Sequence, residues 1–78
     1  MKGIEEFREY RERLTELLTV LKQNPVPFRE FDVVKLKGFR DTYRVRLGKL
    51  RVIYKVDWSQ RVITILVVAE RSRAYDRM

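Results

Sequence analysis

The spacing of apolar residues near the start of the chain is that of a helix with one buried face. Apolar side chains recur there every three or four residues, which is the period of an amphipathic helix. These positions are Ile4, Phe7, Tyr10, Leu14, Leu17, Leu18 and Leu21. The opposite face is charged, and Asn24 followed by Pro25 and Pro27 forms a stop signal. The pattern predicts a helix over residues 4–23.

Beyond the prolines, the pattern changes to the two-residue period of β-strands. Four stretches fit this period: residues 31–36, 42–47, 50–57 and 61–69. The breaks between them are short enough to join antiparallel neighbours, so we expect a meander. The fourth stretch is almost continuously apolar, which favours a central position in the sheet. The sequence therefore predicts one α+β domain over residues 1–78, with the helix packed on a four-stranded antiparallel sheet.

The second strand stretch alternates arginines with apolar residues. Arg44 and Arg46 therefore face one way, and their apolar neighbours face the other. After a turn at Gly48, Arg51 and Lys55 share one face of the third stretch. We expect the helix to cover the apolar face, which leaves the four cations together on the open face. Cations gathered in this way suit a phosphate ligand.

The amino-acid composition limits the kinds of partner and of chemical site that we expect. The 78 residues include 18 Lys and Arg against 11 Asp and Glu, and the net charge of +7 favours an anionic partner. Cysteine and histidine are absent from the sequence, so we expect no disulfide, no zinc centre and no cofactor. The sequence has neither the apolar run of a signal peptide nor a stretch of membrane-spanning length, which predicts a cytoplasmic protein without a membrane partner.

Four short motifs are more specific than the charge. They are Leu36-Lys37-Gly38, Tyr43-Arg44-Val45-Arg46-Leu47-Gly48, Leu50-Arg51-Val52-Ile53-Tyr54 and the terminal segment from Arg71 to Tyr75. In this order and at these distances they resemble the RelE/ParE toxin superfamily, especially its archaeal RelE-like members, over roughly residues 5–76. The resemblance implies a toxin of a type II toxin–antitoxin pair with a RelB-like antitoxin as partner. In the RelE-like branch, such a toxin binds the ribosome and cuts mRNA at the A site.

The resemblance also implies a catalytic site of five residues: Arg44, Arg46, Arg51, Arg71 and Tyr75. In the family reaction, the ribose 2′-hydroxyl attacks the adjacent phosphate without a metal, giving a 2′,3′-cyclic phosphate and a 5′-hydroxyl. Arginine is a poor base, which confines Arg44 and Arg46 to charge stabilisation. Arg51 matches the arginine that contacts the scissile phosphate. Tyr75 is the plausible base among these residues, with Lys49 and Lys55 as alternatives.

Further cations are predicted to bind RNA around this site: Lys37, Lys49, Lys55 and Arg73. Arg73 is also a rival of Arg71 for the role of the C-terminal catalytic arginine. Tyr43 and Tyr54 fall among apolar neighbours, so we expect both to pack in the core.

Other functions remain open at this point. A ParE-type gyrase inhibitor shares the fold and needs no RNA-cleaving residues, and an inactive homologue would bind RNA or the ribosome without cutting. Family members usually begin with a short strand and a helix that this chain lacks before residue 4. An exposed sheet edge is one expected consequence, with homo-oligomer formation through that edge or dependence on the antitoxin.

Overall fold

One helix and four strands make up residues 2–70, which are the residues that the computed structural model describes. The elements are α1 (Lys2–Gln23), β1 (Asp32–Lys35), β2 (Thr42–Leu47), β3 (Leu50–Asp57) and β4 (Val62–Glu70). All five were predicted: β2 and β3 have the predicted bounds, and the ends of the others differ by at most two residues. Within residues 2–70, no helix is both long enough and apolar enough to cross a membrane.

The four strands pair in chain order, β1-β2-β3-β4, and every pair is antiparallel. The α+β class and the meander are therefore confirmed. The predicted central position of the fourth strand is wrong, because β4 is an edge strand. Its apolar side chains are largely exposed: Val62, Leu66 and Val68 are 49%, 47% and 42% exposed. A continuous apolar run is thus no proof that a strand has neighbours on both sides.

The helix packs on the sheet face opposite the arginines, as expected. Leu17 and Leu21 of α1 are 0% and 2% exposed. They share one cluster with residues of β1, β2 and β3, namely Val33, Tyr43, Val45, Leu47, Val52, Tyr54 and Val56. Burying each such side chain fully stabilises the fold by roughly 1.5–3 kcal/mol. Leu18, predicted on the same helix face, is instead 40% exposed, since it lies on the side of α1 that faces β4.

Two turns set the register of the sheet. Gly48 has a φ of 59° at the first position of the two-residue β2–β3 turn, which is the geometry of a type II′ turn and favours glycine. In the β3–β4 turn, Asp57 Oδ1 accepts hydrogen bonds from the Ser59 hydroxyl at 2.8 Å and from the Gln60 backbone N–H at 3.0 Å. These bonds hold the pKa of the Asp57 carboxyl below its ordinary value, and the bond from the Ser59 hydroxyl has the largest effect.

Candidate nucleic-acid interface

The open face of the sheet, opposite α1, carries three arginines in two adjacent rows across the strands. Cross-strand pairing places Arg46 beside Asp32 on β1 and beside Arg51 on β3. Arg44 lies one row further along β2, about 7 Å from Arg46 along the strand. Lys55 lies two rows from Arg51, roughly 13 Å along β3. We name Arg44, Arg46 and Arg51 the arginine cluster, and Lys55 lies diagonally across from Arg44, one row further on.

Arg44 and Arg46 share one carboxylate. Nη2 of Arg44 donates a hydrogen bond of 3.3 Å to Asp32 Oδ1, and Nε of Arg46 lies 3.4 Å from Asp32 Oδ2. The side chains of Asp32 and Arg46 are half exposed, whereas that of Arg44 is only 14% exposed. Exposed ion pairs contribute at most about 1 kcal/mol, so this contact holds the three side chains together only weakly.

Asp32 was missed by the sequence analysis. The available signal was the antiparallel pairing of the first two strand stretches, which places an acidic residue of one strand opposite Arg46 of the next. The six residues that connect β1 to β2 allow more than one register, so the sequence alone does not show which residue of β1 faces Arg46.

Arg51 is buried, which differs from the expected presentation on an open surface. The residue is 5% exposed, and its Nη1 donates hydrogen bonds to the Gly48 carbonyl at 2.6 Å and the Leu50 carbonyl at 3.0 Å. A buried cation needs such acceptors, because its desolvation is costly. Arg51 therefore stabilises the β2–β3 turn and also places a positive charge beside Arg46.

The open face is also less purely cationic than expected. Ile53 and Val67 are 0% and 6% exposed there, and the partly buried Leu36 and Ala69 pack against them. The two-residue period of a strand predicts an apolar residue on this face, because Ile53 lies midway between Arg51 and Lys55 and shares their face. A small apolar cluster thus separates Lys55 from Arg51 along β3.

The three predicted RNA-binding lysines are exposed. Lys49 lies in the β2–β3 turn, next to the arginine cluster. Lys37 follows Leu36, whose N–H bonds the Thr42 carbonyl at the other end of the sheet. The structure thus brings Lys49 to the arginine cluster, places Lys55 one row beyond Arg44 and leaves Lys37 further away. The remaining predicted site residues lie outside the described part of the chain: Arg71, Arg73 and Tyr75.

The ionisable groups behind the sheet belong to the core. Burial, with a smaller effect from Tyr43, raises the pKa of the Tyr54 phenol. Its hydroxyl lies on the helix side of the sheet, so it takes no part in the open face. Among the side chains described for residues 2–70, His, Cys, Asp and Glu form no group of three that could hold a metal ion.

A second surface lies along β4, which is an edge strand of the sheet within residues 2–70. A groove of about 900 Å³ runs between the C-terminal half of α1 and the β3–β4 hairpin. Its lining includes Leu18 and Ile65, together with Trp58, which is 51% exposed, and the cations Lys22 and Arg61. We name this surface, together with the exposed apolar side chains of β4, the β4 groove.

Known proteins are similar to this chain in both sequence and fold. A family model described as the ParE toxin of a type II toxin–antitoxin system, parDE, matches residues 4–75. The candidate toxin RelE1 of Methanocaldococcus jannaschii is 46% identical over 63 residues, which are 81% of this chain and 70% of that protein.

Two solved structures are similar. A chain of the archaeal RelE–RelB complex from Pyrococcus horikoshii OT3 superposes with a TM-score of 0.71 at 48% identity, over 86% of this chain and 77% of that one. A chain of the RelB–RelE antitoxin–toxin complex from Methanococcus jannaschii gives 0.70 at 24% identity, over 85% and 75%, and at that identity it supports the fold alone. Because the family model spans almost the whole sequence and the relatives agree with it, this chain belongs to the RelE/ParE family of toxins of type II toxin–antitoxin systems.

Proposed function

We propose that this toxin is a ribosome-dependent endonuclease that cuts mRNA at the A site and thereby inhibits translation. The observation that carries the proposal is the arginine cluster, in which Arg46 lies directly opposite Arg51 and one row from Arg44. Like charges on opposed strand residues destabilise a sheet, and the exposed Asp32 offsets this only weakly, which leaves a compensating role for a ligand. Binding of a phosphate that carries the opposite charge is such a role.

The proposed reaction is transfer of a phosphoryl group within the RNA. The 2′-oxygen loses its proton to a base and bonds to phosphorus, the bond from phosphorus to the 5′-oxygen breaks, and the leaving oxygen takes up a proton. Negative charge grows on the non-bridging oxygens, where fixed cations stabilise the transition state. Arg46 is half exposed and able to contact those oxygens, and Arg51 supplies a positive charge held in place by the turn carbonyls.

The C-terminal residues complete this proposal. Tyr75 is the proposed base or base-stacking group and Arg71 the proposed further cation, with Arg73 as its rival. These roles come from the family to which the chain belongs. Lys49 in the adjacent turn and Lys55 beyond Arg44 are proposed to contact the RNA backbone, and Lys37 to contact it further away.

We further propose a RelB-like antitoxin as the partner, consistent with the RelE–RelB complexes among the similar structures. The two sheet edges differ in a way that bears on where it binds. The β1 edge is four residues long and carries charges, which protect an edge from pairing, whereas β4 is nine residues long and apolar. An antitoxin segment with apolar residues and acidic flanks fits the β4 groove and its cations Lys22 and Arg61.

Self-pairing through β4 is the rival use of that edge. It would bring together two chains that each carry a net charge of +7, and this repulsion favours an acidic partner instead. Both the ribosome and the antitoxin imply a cytoplasmic location.

Gyrase inhibition is the second candidate function, because the matching family model carries the ParE name. The two candidates are separated by adding the purified toxin to a cell-free translation reaction and, in parallel, to a gyrase supercoiling reaction. Loss of translation with normal supercoiling supports the endonuclease. Loss of supercoiling with normal translation supports the ParE-type activity, and translation blocked with intact mRNA supports an inactive ribosome-binding homologue.

A further inference from the structure

We infer that Asp32 is an internal competitor for RNA phosphate at Arg44 and Arg46, a role that rests on the proposed function of this face. Each of the two guanidinium groups has an atom within 3.4 Å of an oxygen of the same carboxylate. A carboxylate and a phosphodiester have the same sign of charge and offer guanidinium the same kind of oxygen acceptor. A phosphate that binds the same edge of these guanidinium groups must therefore displace Asp32.

The strength of the contact suits a displaceable group. Both ion pairs are longer than a short charge-assisted hydrogen bond, and the Asp32 side chain is 49% exposed. Such pairs are weak, so a polyanion that gains further contacts and releases counterions can replace the carboxylate. A small anion that lacks those further contacts competes less well with a carboxylate that is already in place.

Arg44 and Arg46 can still bind an anion when the Asp32 carboxylate is removed. The Arg44 side chain is held by burial, with 14% exposed, and its Nε is buried without a hydrogen-bond partner in the described part of the chain. Its orientation therefore does not depend on Asp32. Arg46 is half exposed and becomes free to meet an anion once its partner is gone. Loss of the carboxylate thus strengthens anion binding.

The test compares Asp32→Asn with Asp41→Asn in the full chain. Both changes remove one negative charge and take the net charge from +7 to +8, so the long-range field changes equally. Asp41 pairs with Arg40 at 3.6 Å, at the opposite end of β2 from Arg46, and its φ of 50° is one that asparagine tolerates. Binding is measured with a fluorescent single-stranded oligonucleotide that lacks 2′-hydroxyls and with inorganic pyrophosphate.

We expect Asp32→Asn to lower the Kd for both anions by about fivefold, and Asp41→Asn to lower it much less. The gain should largely vanish when Arg46→Ala is introduced beside Asp32→Asn. Four results would each overturn the inference: equal effects of the two Asn variants, weaker binding by Asp32→Asn, no detectable binding by Asp32→Asn, or a gain that persists without Arg46. A gain specific to Asp32→Asn, with no mRNA cleavage by any variant, would instead reject the proposed endonuclease and leave the competitor in place.

Discussion

The Tyr54 hydroxyl donates a hydrogen bond of 2.7 Å to the backbone carbonyl of Pro25. Tyr54 is fully buried on β3, and Pro25 lies in the connection that leaves α1. The Tyr54 ring also stacks on Tyr43 of β2, with ring centroids 5.6 Å apart. These contacts join the end of the helix to the hairpin that carries the arginine cluster.

Tyr54→Phe is expected to lower the free energy of unfolding by about 1 kcal/mol, because the Pro25 carbonyl loses its hydrogen-bond donor. Tyr43→Phe is the matched control, since the Tyr43 hydroxyl makes no hydrogen bond within residues 2–70. Urea unfolding of the two variants measures the difference. Equal losses would show that the bond to Pro25 contributes nothing.

The same tyrosine should make the fold sensitive to alkali. Burial raises the folded-state pKa of Tyr54, so above its unfolded value of about 10 the unfolded chain loses the proton first. Tyr54 therefore makes its full contribution to the free energy of unfolding below about pH 10, and this contribution declines as the pH rises further. The stability advantage of the native protein over Tyr54→Phe should narrow above that pH, and an advantage that stays constant would contradict the assignment.

Arg46→Ala should weaken RNA binding while leaving the stability of the fold almost unchanged. Its half-exposed side chain contributes at most about 1 kcal/mol through Asp32, so the melting temperature should change little. RNA binding should weaken, and the salt dependence of log K should fall by about one unit for the lost phosphate contact. Filter binding at several salt concentrations measures both quantities.

Arg51→Ala should lower both the free energy of unfolding and the rate of RNA cleavage. The Gly48 and Leu50 carbonyls lose a buried donor, which costs about 1–3 kcal/mol of stability. Loss of the charge should also reduce cleavage by one to a few orders of magnitude, roughly 2–4 kcal/mol of transition-state stabilisation. Normal stability in this variant would show that the turn does not depend on Arg51.

Replacing the C-terminal candidates tests the proposed chemistry. Arg71→Ala should lower the cleavage rate by roughly 2–4 kcal/mol of activation free energy, and Arg73→Ala by less. Tyr75→Phe removes only the hydroxyl, so a large loss of rate supports proton transfer and a near-normal rate supports base stacking. Single-turnover cleavage of ribosome-bound mRNA is the measurement. A larger effect at Arg73 than at Arg71 would exchange their roles.

A lysine placed on the β4 edge should impair antitoxin binding. Val68 of β4 and Val34 of the opposite edge are 42% and 45% exposed, so Val68→Lys and Val34→Lys add the same charge at similarly exposed positions. We expect co-purification with the antitoxin to fall at least tenfold for Val68→Lys alone, on the order of the effect of a buried charge at an interface. Equal binding by both variants would place the antitoxin elsewhere. Light scattering of the toxin alone shows whether β4 instead pairs with a second copy.

Local patterns predicted most of the fold for identifiable reasons. The three- and four-residue spacing of leucines specifies α1, and the glycine at position 48 specifies a tight turn between two alternating strands. The same alternation predicted the burial of Tyr43 and Tyr54. These features depend on near neighbours in the chain, which the sequence displays directly.

Features that depend on distant pairing were harder to predict. The apolar run of β4 predicts a central strand, whereas β4 lies at an edge, because an apolar run looks the same whether a sheet or another chain covers it. Asp32 contacts Arg44 and Arg46 only in one register of β1 against β2. Arg51 has the period of an open-face residue, but its guanidinium turns back to the carbonyls at Gly48 and Leu50.

The most direct test of the central claim is primer extension on an mRNA during cell-free translation, with ribosome-free RNA of the same sequence beside it. We expect toxin-dependent stops at A-site codons of the translated mRNA only, and fewer stops with the Arg46→Ala variant. Intact mRNA under translation, or equal cleavage of the ribosome-free RNA, would contradict a ribosome-dependent endonuclease.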